Sequence, residues 1–348
     1  MELAIARYRL KFHHPFGTAH GLRDGTDSVF VRLRSGGVEG YGEATLPPYI
    51  PYTQYVVVEN IASVWMKYGS NTTEEEILGA LLAELCPPAR AAFQMAHIDL
   101  KYRIMDASVG SHGPNNIRLS EPAQCMVTLG HSNIDDIALK LSELPRSGVL
   151  KVKLGAPNDL DVLRAVNKLD DRRLFLDANQ GWTEVAQAEQ AVLVVGLRNV
   201  VGLEQPFAKD RWDLHAELRR RLDIPVYGDE SIQGLQELER APEAFDGVNL
   251  KLMKCGGLDV AADMAKRAQE LGLKVMLGSM SESSLGCAAM ASLAGTADLL
   301  DLDGPWLISN DPFQGLGMED GKLVVEGSAG IGVHLRAGAE LEFIPIGA

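Results

Sequence analysis

A strand-and-helix unit that recurs between residues 126 and 303 restricts the fold of this chain more than any other feature. Each strand is predicted by a short apolar, often β-branched run that ends in polar residues, and an amphipathic helical stretch separates it from the next. Eight parallel strands joined by right-handed helical crossovers can close into a βα barrel. We therefore predict a barrel, with a doubly wound sheet as the alternative. The predicted strands are Met126–Leu129, Val149–Leu154, Leu174–Asn179, Val200–Gln205, Val226–Glu230, Val248–Leu252, Val275–Ser279 and Leu299–Asp303.

The N-terminal segment has a different pattern, in which apolar and polar residues alternate up to Leu33. A Gly36-Gly37 turn and a further run from Val38 follow, which is typical of a hairpin in an antiparallel sheet. Between the first two strands, residues 14–26 are rich in glycine, and we predict a mobile loop there that closes over a ligand.

Helical periodicity then runs from Thr73 to Met105, and we predict that Pro87-Pro88 ends one helix and that a second begins near Ala89. Residues 106–122 are rich in Gly, Ser, Asn and Pro, which indicates a crossing into a new domain. Near the C-terminus, the pattern over 318–325 predicts another hairpin, and we expect it to return to the N-terminal sheet.

Charge and composition exclude several classes of protein. Lys and Arg total 33 against 47 Asp and Glu, a net charge of −14, so we expect no nucleic-acid partner and no anionic membrane surface. No uncharged apolar run reaches the ~20 residues of a membrane span, and the first residues carry Glu2 and no long apolar core, so we expect no signal peptide. The four cysteines are scattered and indicate buried thiols in a reducing compartment. We therefore expect a cytoplasmic enzyme with a small-molecule substrate, and the sequence leaves homo-oligomer formation open.

Polar residues mark the carboxyl ends of the predicted strands, where βα barrels carry their catalytic groups. A single acid at a strand end is usually a helix cap, but consecutive units with such a residue indicate one shared centre. Successive residues of this set lie 22 to 28 positions apart in the sequence. They are Lys153, Asp177, Glu204, Asp229, Lys251, Ser279 and Asp301.

Three of these residues, Asp177, Glu204 and Asp229, are acids on adjacent strands. Carboxylates brought together would repel one another, and a hard divalent cation removes the conflict. Ligands that are all oxygen, without His or Cys, favour Mg²⁺ over zinc. Asn179 and Glu230 lie within two residues of these acids, and we predict that they support the metal ligands.

Lys153 and Lys251 lie on strands two and six, which face each other across an eight-stranded barrel. A lysine acts as a base near neutral pH only if its pKa is lowered, and we expect Lys151 and the metal to lower it. The alternative role of Lys151 is a salt bridge to one of the acids of the barrel. Lys254 follows in the next loop, and we predict that it is exposed.

Five motifs carry a strong resemblance to the enolase superfamily, in its muconate lactonising subgroup. They are Lys151-Val-Lys153-Leu-Gly, Leu-Asp177-Ala-Asn179-Gln-Gly-Trp, Glu204-Gln-Pro, Gly-Asp229-Glu230-Ser and Asn-Leu-Lys251-Leu-Met-Lys-Cys-Gly-Gly. The resemblance implies an α/β fold, a (β/α)7β modified TIM barrel with an α+β capping domain. It divides the chain into a capping domain over 1–115, a barrel over 116–312 and a segment over 313–348 that returns to the capping domain. The superfamily is known for Mg²⁺ sites with a Lys or His base. The histidine branch is excluded, since no histidine occurs between His215 and His334.

Within the lysine branch the resemblance leaves dipeptide epimerase, muconate cycloisomerase and o-succinylbenzoate synthase or N-acylamino acid racemase. Asp301 and Asp303 lie on one face of the last strand and are similar to the motif with which dipeptide epimerases bind the substrate's α-ammonium group. The stretch that contains Ser279, Met280 and Ser281 also resembles those enzymes. A barrel that binds a metal and a ligand without catalysis is the alternative from another class.

The resemblance therefore implies an Mg²⁺-dependent dipeptide epimerase that transfers a proton at the α-carbon of the C-terminal residue through an enolate. Lys153 and Lys251 are expected to be the two acid/base groups, and Lys151 is expected to stabilise the enolate oxygen. Epimerases for Ala-Glu-type dipeptides can carry an arginine in the N-terminal loop, but here Gly21 falls at that position and Arg23 lies two residues on. Either Arg23 binds the acidic side chain of the dipeptide, or the preferred dipeptide has no acidic side chain.

Overall fold

Two main sheets organise the chain in the computed structural model, which describes residues 1–18, 21–69, 75–109, 124–131, 133–327 and 329–347. A four-stranded antiparallel sheet contains the N-terminal strands, and an eight-stranded parallel sheet follows it in the sequence. Two shorter antiparallel pairs lie in the C-terminal segment. Within these ranges, no helix is long and apolar enough to cross a membrane.

The N-terminal sheet begins with a long hairpin that includes most of the predicted loop over 14–26. Its strands are β1 (Glu2–Thr18), β2 (Gly21–Ser35) and β3 (Val38–Leu46). β1 pairs with β2 as far as Thr18 opposite Gly21, with one irregularity between Lys11 and Phe16. The described part of this segment is paired β-strand, so the prediction of a loop is wrong there, and residues 19 and 20 lie outside the described residues. At Gly25 a Cβ would lie 2.4 Å from the Leu10 carbonyl oxygen, so this glycine permits close approach of two strands.

Three helices follow the sheet, namely α1 (Gln54–Tyr68), α2 (Glu75–Ala83) and α3 (Pro87–Ile104). α1 and α3 pack on the sheet, and α2 packs on these two helices. The sequence analysis did not predict α1, and the predicted helix start at Thr73 lies outside the described residues. α3 begins at Pro87 and not after Pro88, because a proline in the first turn lacks only an N–H that would be unpaired. A Cβ at Gly42 would lie 1.9 Å from the Ala92 carbonyl oxygen, so glycine lets α3 pack directly on β3.

The parallel sheet confirms the predicted barrel, because its eight strands are hydrogen-bonded in sequence order. The backbone N–H of Met126 donates to the Leu300 carbonyl oxygen at 2.8 Å, which joins the first strand to the last. Each observed strand lies within the predicted run or begins one residue before it. The strands are β4 (Val127–Leu129), β5 (Val149–Lys153), β6 (Arg173–Asp177), β7 (Val200–Glu204), β8 (Val226–Gly228), β9 (Gly247–Leu250), β10 (Lys274–Gly278) and β11 (Leu299–Asp301).

Helices connect successive strands and surround the barrel. They are α4 (Ile137–Glu143), α5 (Asp159–Leu169), α6 (Val185–Val195), α7 (Trp212–Arg221), α8 (Leu235–Arg240), α9 (Leu252–Cys255), α10 (Leu258–Glu270) and α11 (Ser284–Ala291), with a short α12 (Gly304–Leu307) after β11. Inside the barrel, the rings of Phe175 and Tyr227 pack edge to face at 5.4 Å. Gly202 on β7 and Gly247 on β9, the two strands that flank β8, make room for these rings. The rings form an apolar floor, and Lys151 Nζ lies 5.9 Å from the Phe175 ring centroid.

The C-terminal segment contacts both sheets. Its strands are β12 (Phe313–Gln314), β13 (Leu316–Glu319), β14 (Lys322–Val325), β15 (His334–Leu335) and β16 (Ile344–Ile346). β13 and β14 form the predicted hairpin, but it pairs with itself and not with the N-terminal sheet, so that part of the prediction is wrong. Its turn is held at the barrel instead, where Cys125 N donates to the Gly321 carbonyl oxygen at 2.8 Å. The strand that joins the N-terminal sheet is β16, which pairs with β1.

Candidate active site

The acids and lysines predicted at the strand ends lie together at the carboxyl end of the barrel. In the strand register Lys153 is opposite Asp177, and Asp177 is opposite Glu204. Asp229 and Lys251 directly follow β8 and β9. The side chains of the acids and of Lys251 are buried, and that of Lys153 is 11% exposed. The strand pattern therefore brings the predicted groups into one polar centre above the apolar floor.

Lys151 lies at the middle of this centre and is fully buried. Its Nζ is 2.6 Å from Glu204 Oε2, 2.7 Å from Asp301 Oδ2 and 3.0 Å from Asp177 Oδ2. Lys153 Nζ contacts the same oxygen of Asp177 at 2.6 Å. Lys151 therefore connects β5 electrostatically to β6, β7 and β11.

On the opposite side of the barrel, two lysines share the carboxylate of Asp229. Lys251 Nζ lies 2.6 Å from its Oδ2, and Lys254 Nζ lies 2.6 Å from its Oδ1. The prediction that Lys254 is exposed is wrong, because the single-turn helix α9 directs it back to the end of β8. The signal was the spacing of three residues between the two lysines, because one helical turn after Lys251 brings Lys254 back to the same carboxylate.

Sequence reasoning also missed Asn249, which is buried two residues before Lys251 on the same strand. Its Nδ2 donates to Glu204 Oε1 at 2.7 Å. Residues two apart on a strand share a face, so the position of Lys251 carried the signal for Asn249. Gly278 on β10 accommodates this side chain, since a Cβ there would lie 2.3 Å from Asn249 Oδ1.

Burial and neighbouring charges divide the acids into two groups. Burial alone would raise the pKa of Asp177, but Lys151 and Lys153 outweigh it and lower that pKa. Lys251 and Lys254 outweigh burial in the same way and lower the pKa of Asp229. Burial and the charge of Asp177 raise the pKa of Glu204 to about 8. The repulsion between the buried carboxylates therefore falls mainly on Glu204, whose ionised form is disfavoured.

Glu230, next to Asp229, shows the same effect. Burial and repulsion from Asp229 raise the pKa of Glu230 to about 7. Lys151 and Lys251 are the two fully or almost fully buried lysines of this centre. Burial disfavours both charges, but the neighbouring carboxylates outweigh it and raise both pKa values.

The donor set at this centre fits a hard divalent cation, although the side chains do not converge on one point. Among the described residues, no three His, Cys, Asp or Glu side chains are arranged to hold a metal ion, because lysine ammonium groups occupy the carboxylates. Two buried acceptors, Asn179 Oδ1 and Glu230 Oε2, have no hydrogen-bond partner. Unsatisfied buried oxygen atoms next to an excess of carboxylates are what Mg²⁺ would satisfy.

At the end of β11, Asp301 and Asp303 are both buried and have different partners. Asp301 pairs with Lys151, whereas Asp303 accepts from the backbone N–H of Thr128 at 2.6 Å and from its hydroxyl at 3.2 Å. Burial and the charge of Asp301 raise the pKa of Asp303 to about 7. Thr128 was not identified from the sequence, and it links the first strand of the barrel to the last.

The residues after β10 lie beside the N-terminal sheet. Ser279 N donates to the Asp301 carbonyl oxygen at 3.0 Å, and the Tyr49 hydroxyl contacts Met280 Sδ at 3.2 Å. Ser281 is half-buried. Arg23 on β2 has its Cζ 5.7 Å from the Phe12 ring centroid, and its Nη1 is buried without a hydrogen-bond partner. Burial lowers the pKa of Arg23.

The barrel, its covering α+β sheet and the lysine and carboxylate groups at the strand ends define one class of protein, the enolase superfamily. Residues 1–111 match the model of the mandelate racemase/muconate lactonizing enzyme N-terminal domain, and residues 143–339 match that of the enolase C-terminal domain-like family. The chain belongs to the mandelate racemase/muconate lactonizing enzyme family of that superfamily.

Relatives of known name cover almost the whole chain. It is 33% identical over 337 residues to an L-Ala-D/L-Glu epimerase of Bacteroides thetaiotaomicron, covering 96% of this chain and 88% of that one. It is 31% identical over 341 residues to an L-Ala-D/L-amino acid epimerase of Flavobacterium johnsoniae, covering 96% and 100%. A crystal structure of a dipeptide epimerase from Enterococcus faecalis, complexed with Mg and the dipeptide L-Leu-L-Tyr, superposes with a TM-score of 0.83 at 25% identity, covering 95% of this chain and 98% of that one.

Proposed function

We propose that this protein is an Mg²⁺-dependent dipeptide epimerase, an isomerase that inverts the α-carbon of the C-terminal residue of a dipeptide. The observation that carries the proposal is the pair Lys153 and Lys251, which project from the second and sixth strands of the barrel. These strands are opposite each other, so a substrate at the centre has one lysine on each side. The relatives named as L-Ala-D/L-Glu epimerase and L-Ala-D/L-amino acid epimerase support the substrate class.

Each lysine would act on one face of the α-carbon. The neutral amine of one lysine would remove the α-proton, and the ammonium group of the other would donate a proton to the opposite face, which inverts the configuration. Lys151 is buried below them and would stabilise the negative charge on the substrate oxygen as the proton leaves.

Asp177, Glu204 and Asp229 would hold the metal ion, with Asn179 and Glu230 beside them. Bound Mg²⁺ supplies positive charge that stabilises the carboxylate end of the substrate as the α-carbon loses its proton. The support for this assignment is the all-oxygen donor set and the unpartnered buried oxygens of Asn179 and Glu230.

Asp301 and Asp303 would bind the α-ammonium group of the dipeptide, and Ser279, Met280 and Ser281 would line the substrate on the β10 side. Arg23 would contact the substrate from the N-terminal sheet, where its buried Nη1 lacks a partner. A dipeptide with an acidic C-terminal residue would satisfy that guanidinium group.

The charge of −14 and the four free cysteines support a cytoplasmic protein whose partners are small molecules and not nucleic acid or membranes. We extend the proposal to the domain division at residues 115 and 312. Residue 115 lies outside the described residues, and the support is that the described strands are antiparallel up to β3, parallel from β4 to β11 and antiparallel again from β12.

The test is a dipeptide library incubated with the enzyme and Mg²⁺ in D₂O and scored by mass spectrometry for one deuterium at the α-carbon of the C-terminal residue. We expect incorporation and inversion with at least one L,L-dipeptide. The control is the Lys153→Ala, Lys251→Ala double variant, which retains no acid/base lysine. Turnover of N-acyl amino acids without turnover of free dipeptides would replace the proposal with the racemase or o-succinylbenzoate synthase alternative.

A further inference from the structure

Two buried glutamates meet where the N-terminal sheet contacts the barrel. Glu43 lies on β3 and Glu282 follows β10, and their exposed fractions are 0% and 1%. Both reach the space above Gly286 at the start of α11. A Cβ on Gly286 would lie 2.3 Å from Glu282 Oε2 and 3.1 Å from Glu43 Oε2. The two Oε2 atoms therefore both lie close to the same point, which only a glycine at position 286 leaves open.

The hydrogen bonds of the two carboxyl groups are unequal. Glu43 accepts four, from the hydroxyl groups of Thr45 and Ser283 and from the N–H groups of Ser283 and Gly286. Glu282 Oε1 accepts from Met280 N at 2.9 Å, but its Oε2 is buried and has no hydrogen-bond donor. Burial raises the pKa of Glu43, and the four donors oppose this shift and favour its ionised form, whereas Glu282 has only one donor. An oxygen without a donor, next to an ionised carboxylate, favours the protonated form of Glu282.

We propose that Glu282 is a protonated positioning residue, which donates a hydrogen bond to the ionised Glu43 and holds the backbone of Met280 through its other oxygen. The pair thereby connects β3 to the segment Ser279–Ser281, which lines the substrate in the proposed function. The positioning role of Glu282 therefore rests on that function. The protonation of Glu282 does not depend on the proposed function. The titratable and charged groups that face the pair are Asp311, Lys251 and Cys287.

The electrostatic environment agrees with this assignment. Burial and the charge of Glu43 raise the pKa of Glu282 to about 8, and Lys251 opposes that shift only in part. An acid whose pKa is raised on folding stabilises the folded state fully below its unfolded value of 4.5. This stabilisation is lost as the pH rises through about 8.

The substitution Glu282→Gln separates protonation from simple burial. Glutamine reproduces the protonated acid, since its carbonyl accepts from Met280 N and its amide donates to Glu43. In Glu43→Gln, by contrast, an amide NH₂ group replaces an oxygen that accepts hydrogen bonds, so at least one of the four bonds is lost.

The first measurement is the Tm of wild type, Glu282→Gln and Glu43→Gln from about pH 5 to about pH 9 in metal-free buffer. We expect the Tm of wild type minus that of Glu282→Gln to fall by several degrees as the pH rises, and Glu43→Gln to be less stable throughout. Glu59→Gln, on the exposed face of α1, is the matched control and should give a difference that does not vary with pH. A constant difference for Glu282→Gln would overturn the proposal.

The second measurement is the KM for the best dipeptide. Glu282→Leu keeps the size but cannot accept from Met280 N, and we expect KM to rise roughly tenfold with a smaller change in kcat. Glu282→Gln should restore KM to within about twofold of wild type. Equal KM values for the two variants would refute the positioning role. If no dipeptide reacts with wild type either, the proposed function fails, whereas the pH dependence of Tm still decides whether Glu282 is protonated.

Discussion

Replacing Lys254 with methionine tests how the buried charge of Asp229 is balanced. Lys254 Nζ lies 2.6 Å from Asp229 Oδ1, 2.7 Å from the Asp229 carbonyl oxygen and 2.9 Å from the Asn249 carbonyl oxygen. Methionine keeps an unbranched side chain of similar length but provides none of these donors. After the substitution Lys251 alone pairs with the Asp229 carboxylate.

The expected cost follows from these contacts. Removing one partner of a buried ion pair costs about 3–5 kcal/mol, because it leaves an uncompensated charge. Lys251 remains in place, so we expect the lower end of that range, about 3 kcal/mol. With an unfolding entropy of about 2.1 cal/mol/K per residue, this corresponds to a fall in Tm of about 4 °C for a chain of 348 residues.

The assay is heat denaturation in metal-free buffer, followed by circular dichroism. Lys266→Met on the exposed face of α10 is the matched control, and its Tm should stay within about 2 °C of wild type. In an Asp229→Asn background the Lys254→Met substitution should cost less, because the charge that it leaves unbalanced is absent. A Lys254→Met variant with the stability of wild type would show that Lys254 does not contribute to balancing Asp229.

Three further predictions concern the proposed reaction. Glu204→Gln should weaken Mg²⁺ binding, measured by calorimetry, while the circular dichroism spectrum stays unchanged; unaltered affinity would remove Glu204 from the ligands. Lys153→Ala and Lys251→Ala should each abolish epimerisation and retain α-proton exchange with only one substrate epimer, and exchange of both epimers by one variant contradicts a two-base mechanism. Asp303→Asn should lower kcat/KM roughly ten- to hundredfold, and N-acetylation of the dipeptide should add little to that loss; additive losses would show that Asp303 does not bind the ammonium group.

The barrel and the positions of its functional groups followed from the sequence because both depend on periodicity. A parallel strand that ends in a polar residue places that residue at the same edge as its neighbours, wherever the helices pack. Lys153, Asp177 and Glu204 illustrate this, since their strand register aligns them directly. The approximate strand bounds were therefore sufficient to predict the polar centre.

The partners of individual side chains could not be predicted in the same way, because they depend on how chain turns direct each residue. Lys254 is buried since α9 turns it toward β8, and Asp303 accepts from Thr128, which is 175 residues away in the sequence. The structural role of a glycine is also difficult to predict from the sequence, because it depends on which backbone packs against it. Gly25 and Gly42 serve close packing of backbones, and their sequence context is indistinguishable from that of a turn.

The N-terminal sheet and the barrel contribute different parts of the proposed site. The acid/base lysines and the carboxylates all come from barrel strands, whereas Arg23 and Tyr49 reach the rim from the N-terminal sheet and its following loop. Tyr49 contacts Met280, and Glu43 binds the N–H and hydroxyl groups of Ser283, so the sheet meets the segment after β10 at two points. Substitutions in the sheet that leave Glu43 intact are therefore expected to change which dipeptide binds, and to leave the chemistry of proton transfer unchanged.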